Sequence, residues 1–204
     1  MNPIKSLIVS IFLVTLLNIF LSKNSKHIKR KIQWPHYLFG YFFVLYILIT
    51  LVLVGFPTLW EWKLLLNFNK PIFNPHINLI PFKDGFDLTY ILNIILFMPF
   101  GFLLPTLWEK YRNNIWSTFC YGLFFSFVIE VSQLFVGSRT TDINDIITNV
   151  LGTICGWLIF SILRKIFCKF ADKTVVNISS SEAFAIKLEP YLYIPIAMIC
   201  VFFG

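Results

Sequence analysis

The chain has 204 residues, of which 57% are hydrophobic and only 13% are charged, and its mean hydropathy is +0.76. That charged share is about half of what a soluble domain carries, so a bilayer is the expected solvent. The formal net charge of +7 lies in short connections between apolar segments, a pattern typical of membrane proteins that requires no nucleic-acid partner.

Six apolar segments predict an all-α fold, a polytopic integral membrane helical bundle with five to six transmembrane helices. The first five reach or approach the roughly 20 residues that span a bilayer. Glu182, Lys187, Glu189 and two prolines shorten the apolar part of the last, so we expect it to tilt or only to dip into the membrane. The predicted helices are Ile4–Ser22, Tyr37–Pro57, Leu88–Trp108, Ile115–Val136, Asp142–Arg164 and Ala183–Gly204.

The segments divide the chain into four regions. Residues 1–57 form an N-terminal two-helix hairpin with a basic loop, and residues 58–87 form an outer interfacial loop. Residues 78–164 contain the core of helices three to five, and residues 165–204 hold a further basic loop and the short C-terminal helix. The first segment lacks a small-residue cleavage site, so we interpret it as a retained helix.

Basic residues concentrate in three connections that share one side of the membrane if every helix crosses it. The positive-inside rule assigns this side to the cytoplasm, which places both termini outside. The residues are Lys23, Lys26, Lys29, Arg30 and Lys31 after helix one, Lys110 and Arg112 after helix three, and Arg164, Lys165, Lys169 and Lys173 after helix five.

Polar and small residues form a stripe on each of the fourth and fifth predicted helices. At 100° per residue each stripe covers an arc of about 80°. Only residues 137–141 join the two helices, so they are antiparallel neighbours whose stripes can face each other. The stripes are Gly122, Ser126, Glu130 and Gln133 on one helix, and Asp142, Asp145, Asn149, Gly152 and Gly156 on the other.

Glu130 is the strongest functional candidate, because an acid inside a helix caps nothing. It lies six residues before the predicted helix end, roughly 9 Å below the boundary, and an ion pair with Arg139 or a water-filled pocket would offset its cost. Asp142 also fits a helix cap. Gln133, Asn149 and Ser126 also fit ordinary interhelical hydrogen bonding.

The outer loop and the third helix supply further polar groups near the same membrane face. The loop is rich in Trp, Phe and Pro, as interfacial or re-entrant segments are. Asn93 lies near the outer end of the third helix, and Pro99 predicts a kink with a free carbonyl at Ile95. We expect the outer loop, Asn93, Glu130, Arg139 and the two aspartates to form one site on the outer side.

Four ordered pieces resemble the VanZ-like family of bacterial membrane proteins: N78-L-I-P-F82, N93-I-I-L-F-M-P-F-G-F-L-L-P105, E130-V-S-Q133 and R139-T-T-D-I-N-D-I-I-T-N-V-L-G152. The resemblance implies a membrane protein whose best-known relative contributes to teicoplanin resistance in Gram-positive bacteria. It also implies a polar ligand site carried by Asn78, Asn93, Glu130, Gln133, Arg139, Asp142, Asp145 and Asn149.

Two functional hypotheses follow from these residues. The first is a binding or shielding protein at the outer leaflet whose partners are the bilayer and a lipoglycopeptide. The second is an intramembrane enzyme for a lipid-linked envelope precursor, with Glu130, Asp142 and Asp145 as acid and base or as Mg²⁺ ligands. The cofactor stays open, and the cysteine and histidine spacing predicts no metal site. Glu189 in the C-terminal segment serves as the control position, where Glu189→Gln should not abolish activity.

Overall fold

The computed structural model describes residues 3–24, 32–73, 75–83, 85, 87–137, 139–176 and 184–204. Within these ranges the chain forms nine helices and a two-stranded sheet. The helices are α1 Pro3–Asn24, α2 Trp34–Leu53, α3 Leu59–Asn67, α4 Leu88–Leu107, α5 Glu109–Asn113, α6 Ile115–Gln133, α7 Ile143–Ile166, α8 Cys168–Thr174 and α9 Phe184–Phe202. The strands are β1 Ile77–Asn78 and β2 Thr141–Asp142.

Five helices among the described residues are long and apolar enough to cross a membrane, namely α1, α2, α4, α6 and α7. The predicted all-α polytopic bundle is therefore confirmed. Several ends differ from the prediction by one to four residues, and two of these differences coincide with turns. Helix α2 ends at Leu53 rather than Pro57, because Gly55 turns the chain with φ +72°. Helix α6 ends at Gln133 rather than Val136, since the backbone leaves the helix in a turn at Leu134 and Phe135.

Helix α9 packs against α1 and α2. Near its start, Glu189 contacts His36 in the first turn of α2. At its end, the Phe202 ring lies 4.9 Å from that of Trp62, in the segment that follows α2. These contacts place α9 beside the start of α2 and beside α3. Helix α9 is not among the five candidate spans found in the described residues, and the expectation that the C-terminal segment tilts or only dips into the membrane stays a prediction.

Helices α4 and α7 pack with their backbones in close contact. A Cβ atom on Gly152 would clash with the Ile94 carbonyl oxygen, and one on Gly156 would clash with that of Met98. The small-residue stripe of α7 therefore faces α4 as well as α6. Close backbone approach is the usual means of packing helices in lipid, where apolar side chains gain nothing by leaving the solvent.

Aromatic rings fill the space between α2, α4, α6 and α9. Phe100 stacks on Phe125 at 5.0 Å and on Phe43 at 5.7 Å, and all three side chains are fully buried. Helix α4 continues through Pro99, and the Tyr46 hydroxyl donates to the Leu96 carbonyl at 2.8 Å, one residue beyond the acceptor predicted at Ile95.

Helices α3, α5 and α8 were not predicted, because each is too short to give a hydropathy signal. Helix α3 lies in the predicted interfacial loop, has no buried residue and exposes Trp60 and Leu66. Helices α5 and α8 lie in predicted basic connections. Of the cluster after α1, only Lys23 is among the described residues; Lys26, Lys29, Arg30 and Lys31 lie outside them.

Candidate functional site

The start of α7 fixes the first carboxylate of the site. Asp142 is the N-cap residue, and its Oδ1 accepts from the Asn144 backbone N–H at 2.8 Å. Its Oδ2 accepts from Asn78 Nδ2 at 3.2 Å. The capping role that the sequence predicts for Asp142 is therefore present, and the same side chain also holds the outer segment.

A short parallel sheet joins that outer segment to the α6–α7 connection. Ile77 pairs with Thr141 and Asn78 with Asp142, and the Thr141 N–H donates to the His76 carbonyl at 2.9 Å. Asn144, which is 1% exposed, accepts from the Phe82 N–H at 2.9 Å. The sequence analysis missed Asn144, although its amide two residues after a cap is a recognisable polar position. These bonds bring Asn78 beside Asp142.

Glu130 is 1% exposed and lies three residues before the end of α6, about 4.5 Å along the helix rather than the expected 9 Å. Its Oε2 accepts from the Asp142 backbone N–H at 2.9 Å, and its carbonyl accepts from Thr141 Oγ1 at 2.9 Å. Glu130 therefore holds the segment that starts α7, and backbone amide bonding supplies the compensation that was expected from Arg139.

Arg139 and Gln133 anchor this connection to the end of α2. Arg139 is exposed, and its Nη2 donates to the Leu53 carbonyl at 3.4 Å. Gln133 Nε2 donates to the Val54 carbonyl at 3.2 Å. The expected Glu130–Arg139 ion pair does not form, because the guanidinium lies over Gly55 instead. Its charge still acts on the carboxylates of Glu130 and Asp145.

The other polar residues of α7 contact two different helices. Asp145 Oδ1 accepts from Asn93 Nδ2 of α4 at 2.7 Å, and both side chains are half-buried. Asn149 Nδ2 donates to Ser126 Oγ of α6 at 3.0 Å. The predicted stripe therefore lies in the groove between α4 and α6. We call Asn78, Asn93, Glu130, Gln133, Arg139, Asp142, Asp145 and Asn149 the Glu130 cluster.

The Glu130 cluster presents acceptor oxygens that lack donors. Four side-chain oxygens of the cluster accept no hydrogen bond from any described residue. Such a site suits a ligand that supplies N–H or O–H donors or a positive charge. Within the described ranges, no group of three His, Cys, Asp or Glu side chains is arranged to hold a metal ion. The four oxygens are Glu130 Oε1, Asp145 Oδ2, Gln133 Oε1 and Asn149 Oδ1.

A second buried acid lies at the opposite end of the bundle and was missed by the sequence analysis. Glu189 is 0% exposed; its Oε1 lies 2.8 Å from His36 Nε2 and its Oε2 accepts from Trp108 Nε1 at 3.1 Å. His36 Nδ1 lies 2.8 Å from the Thr174 carbonyl, which can only accept, so Nδ1 carries a proton. Glu189, which the sequence analysis used as a control position, therefore joins α9 to the start of α2 and to Trp108 at the end of α4.

Arg112 closes this end of the bundle beside the Glu189 network. Its guanidinium donates to Asp172 Oδ1 at 2.9 Å and to the Ala171 carbonyl at 2.7 Å. Burial lowers the pKa of Arg112, and the Asp172 carboxylate opposes that change, so the side chain stays charged at neutral pH. The contacts fix α5 against α8.

An apolar groove of about 240 Å³ opens between α1, α2 and α9 at the same end as the Glu130 cluster. Leu48, Val52, Leu53 and Val201 line it. Leu53 connects the two features, since its side chain lines the groove and its carbonyl accepts from Arg139. The groove faces the lipid side of the bundle, where Val52 is 41% exposed.

Comparison with known proteins gives one family and one curated relative. The family model described as VanZ/LLP1 matches residues 43–164, which include every residue of the Glu130 cluster. The chain is 33% identical to Protein VanZ of Enterococcus faecium over 98 residues, which cover 46% of this chain and 60% of that protein. The alignment thus spans less than two thirds of that relative. No solved structure matches.

Proposed function

Because this chain belongs to the VanZ/LLP1 family, we propose that it contributes to resistance of the cell envelope against the acylated glycopeptide teicoplanin. The Glu130 cluster binds the polar part of the drug, or shields its target, at the outer leaflet. No bond needs to be made or broken for this role. The ligand donates hydrogen bonds to carboxylate and amide oxygens, as the amines, amides and hydroxyls of a glycopeptide do.

The open oxygens of Glu130 and Asp145 are the observation that carries this proposal. Both belong to side chains held by short bonds, from the Asp142 N–H and from Asn93 respectively. A ligand that donates to the free oxygens meets acceptors already fixed in place, so little ordering entropy is lost on binding. Acids at this depth are costly and are usually retained for function.

The apolar groove supports a ligand with an acyl tail. Leu53 and Arg139 place the groove next to the polar cluster, so a drug bound by its polar part can lay its tail between α1, α2 and α9. Expression in a susceptible Gram-positive host should raise the inhibitory concentration of teicoplanin but not that of vancomycin, which lacks the tail. Equal protection against both drugs would contradict recognition of the tail.

Filling the groove tests the same idea within the protein. Val52→Trp should reduce teicoplanin protection, because the indole occupies the space for the tail. Ile8→Trp is the matched control, since Ile8 is 62% exposed on α1 and does not line the groove. If the Val52→Trp variant still protects against teicoplanin at normal membrane abundance, the groove does not bind the tail of the drug.

The proposal also requires the Glu130 cluster to face outside. In a cysteine-free background, Lys70→Cys lies at this end and Lys173→Cys at the other, and both lysines are exposed. A membrane-impermeant thiol reagent should modify Cys at position 70 on intact cells and at position 173 only after lysis. The loop residues Ser138 and Ser25, which the charge pattern places on opposite sides of the membrane, lie outside the described residues. The reverse labelling pattern would contradict an outer-leaflet site.

The alternative is an intramembrane enzyme acting on a lipid-linked envelope precursor. Its support is the proximity of Glu130 to the carboxylates of Asp142 and Asp145, which suits general acid and base catalysis. Mass spectrometry of membrane lipids from cells with and without the protein separates the hypotheses. A precursor whose mass changes with expression, and not with Glu130→Gln, favours the enzyme.

A further inference from the structure

A cavity at the Glu189 end lies between α5, α6 and the start of α9, away from the Glu130 cluster. Its volume is about 350 Å³, and Lys110, Tyr111, Trp116, Ser117, Cys120 and Tyr191 line it. The lining combines one ammonium group, hydroxyls and aromatic rings. A cavity of this composition suits a ligand with a negatively charged polar group attached to an apolar body.

Lys110 provides a positive charge that no carboxylate of the described residues neutralises. Its Nζ donates to the Tyr191 hydroxyl at 2.8 Å and lies 5.7 Å and 5.5 Å from the ring centres of Tyr111 and Tyr191. Among the described residues it forms no ion pair. Arg112, two residues further along α5, is instead paired with Asp172. The ammonium group therefore keeps donors available for an anion.

The cavity lies where the span of α6 begins. The membrane-spanning part starts at Ile115, and Trp116 is 67% exposed. Lysine and tryptophan at the end of a span mark the headgroup level of a bilayer. The cavity is therefore open to lipid headgroups rather than to the hydrocarbon interior.

An exposed apolar track on α6 leads from the cavity into the membrane. Trp116, Cys120, Phe124 and Phe127 fall within an arc of about 80° on the helix. Trp116, Phe124 and Phe127 are 67%, 55% and 56% exposed. Acyl chains attached to a headgroup in the cavity would lie along this face.

We propose that the cavity beside Lys110 is a binding site for an anionic phospholipid, with the phosphate on Lys110 and the Tyr191 hydroxyl and the acyl chains along α6. Pockets with a basic residue between transmembrane helices on the cytoplasmic side bind anionic headgroups in this way. The site holds the α5–α6 turn and the start of α9 at the membrane surface. It is independent of the resistance function assigned to the Glu130 cluster.

Cys120 provides the probe for this site, because it is exposed and lines the cavity. The full chain with Cys155, Cys168 and Cys200 changed to Ser is placed in nanodiscs of phosphatidylcholine with increasing phosphatidylglycerol. The modification rate of Cys120 by a thiol reagent should fall as phosphatidylglycerol rises. In Lys110→Gln the phosphatidylglycerol needed should rise about fivefold, the effect of one lysine at an anionic surface. Lys110→Arg should keep the protection.

Two controls decide what the protection means. Lys173→Gln removes the same charge from an exposed lysine at the same end and should behave like the parent. If phosphatidylglycerol slows the modification of Cys120 equally in Lys110→Gln, the slowing reflects the surface potential of the membrane, and the proposal is wrong. Glycerol phosphate added to pure phosphatidylcholine nanodiscs should not protect Cys120. If it protects as well as phosphatidylglycerol does, the ligand is a soluble phosphate and the lipid assignment is wrong.

Discussion

The two ends of the bundle each contain a buried glutamate, but the two acids are bonded in opposite ways. Both Glu189 oxygens lie within hydrogen-bond distance of side-chain groups on α2 and α4, and a residue able to carry positive charge, His36, contacts one of them. Glu130 accepts one backbone N–H, and the acids Asp142 and Asp145 as well as Arg139 lie near enough to act on its carboxyl group. Both carboxylate oxygens of Glu189 therefore have partners, which we call a closed network, whereas Glu130 keeps one oxygen free, which we call an open network.

This difference indicates different roles for the two acids. A closed pair with satisfied partners holds helices together, and removing one member leaves a buried group unpaired. The acids of the Glu130 cluster also make structural bonds, but the free oxygens of Glu130 and Asp145 stabilise nothing, so these unused acceptors in a membrane protein point to a ligand or a reaction. We therefore expect changes at Glu189 to lower stability and changes at Glu130 to lower activity.

Glu189→Ala should give the largest loss of stability. It leaves His36 and Trp108 Nε1 buried without their acceptor, which costs about 3–5 kcal/mol for a broken buried pair. Unfolding of the purified protein in detergent, followed by tryptophan fluorescence, measures the free energy. Glu61→Ala on α3, a helix with no buried residue, is the control and should change stability little. If Glu189→Ala lowers the free energy of unfolding by less than about 1 kcal/mol, the Glu189 contacts stabilise the protein no more than an exposed ion pair would, and the contrast between the two ends is wrong.

Gly156→Ala should give the next largest loss. The added Cβ would clash with the Met98 carbonyl oxygen, so α4 and α7 must separate, at about 1–3 kcal/mol for an overpacked contact. Because this contact lies between the two networks, resistance and stability should fall together. Gly137→Ala is the control, since its Cβ would meet only Leu65 at 3.5 Å among the described residues. An equal effect in both variants would contradict the packing argument.

The spans could be predicted because lipid imposes a length and a composition on any helix that crosses it. Asp142 could be predicted as a cap because capping is a local interaction. The sequence did not predict that β1 would pair with β2, since their residues are 64 positions apart and each strand has only two residues. Two-residue strands give no periodicity.

The contacts of Glu189 could not be predicted from the sequence, for a related physical reason. A glutamate near the start of an apolar run has the composition of a membrane boundary, where charged side chains normally reach water. Its partners His36 and Trp108 are 153 and 81 positions away in sequence, so no local pattern joins them. Arg139 was paired with Glu130 by proximity in sequence, whereas the Gly55 turn offers it a backbone carbonyl.

Asp142 substitutions should have the smallest effect on stability. Asp142→Asn keeps an acceptor for the Asn144 N–H and should be nearly silent, whereas Asp142→Ala loses the cap and costs about 1 kcal/mol. Thermal unfolding of both variants in the same detergent separates them. If Asn destabilises as much as Ala, the carboxylate charge rather than the cap holds the start of α7.

The most direct test of the open-site assignment is teicoplanin resistance measured for Glu130→Gln and Asp145→Asn, each normalised to its amount in the membrane fraction. The amides keep the size and most hydrogen bonds of the side chains but cannot supply the charge or the titrating proton of a carboxyl group. Both variants should reach normal abundance and lose protection to the level of cells without the protein, whereas Glu61→Gln keeps it. Full protection at normal abundance in both amide variants would contradict this assignment and would mean that the Glu130 cluster only holds helices together.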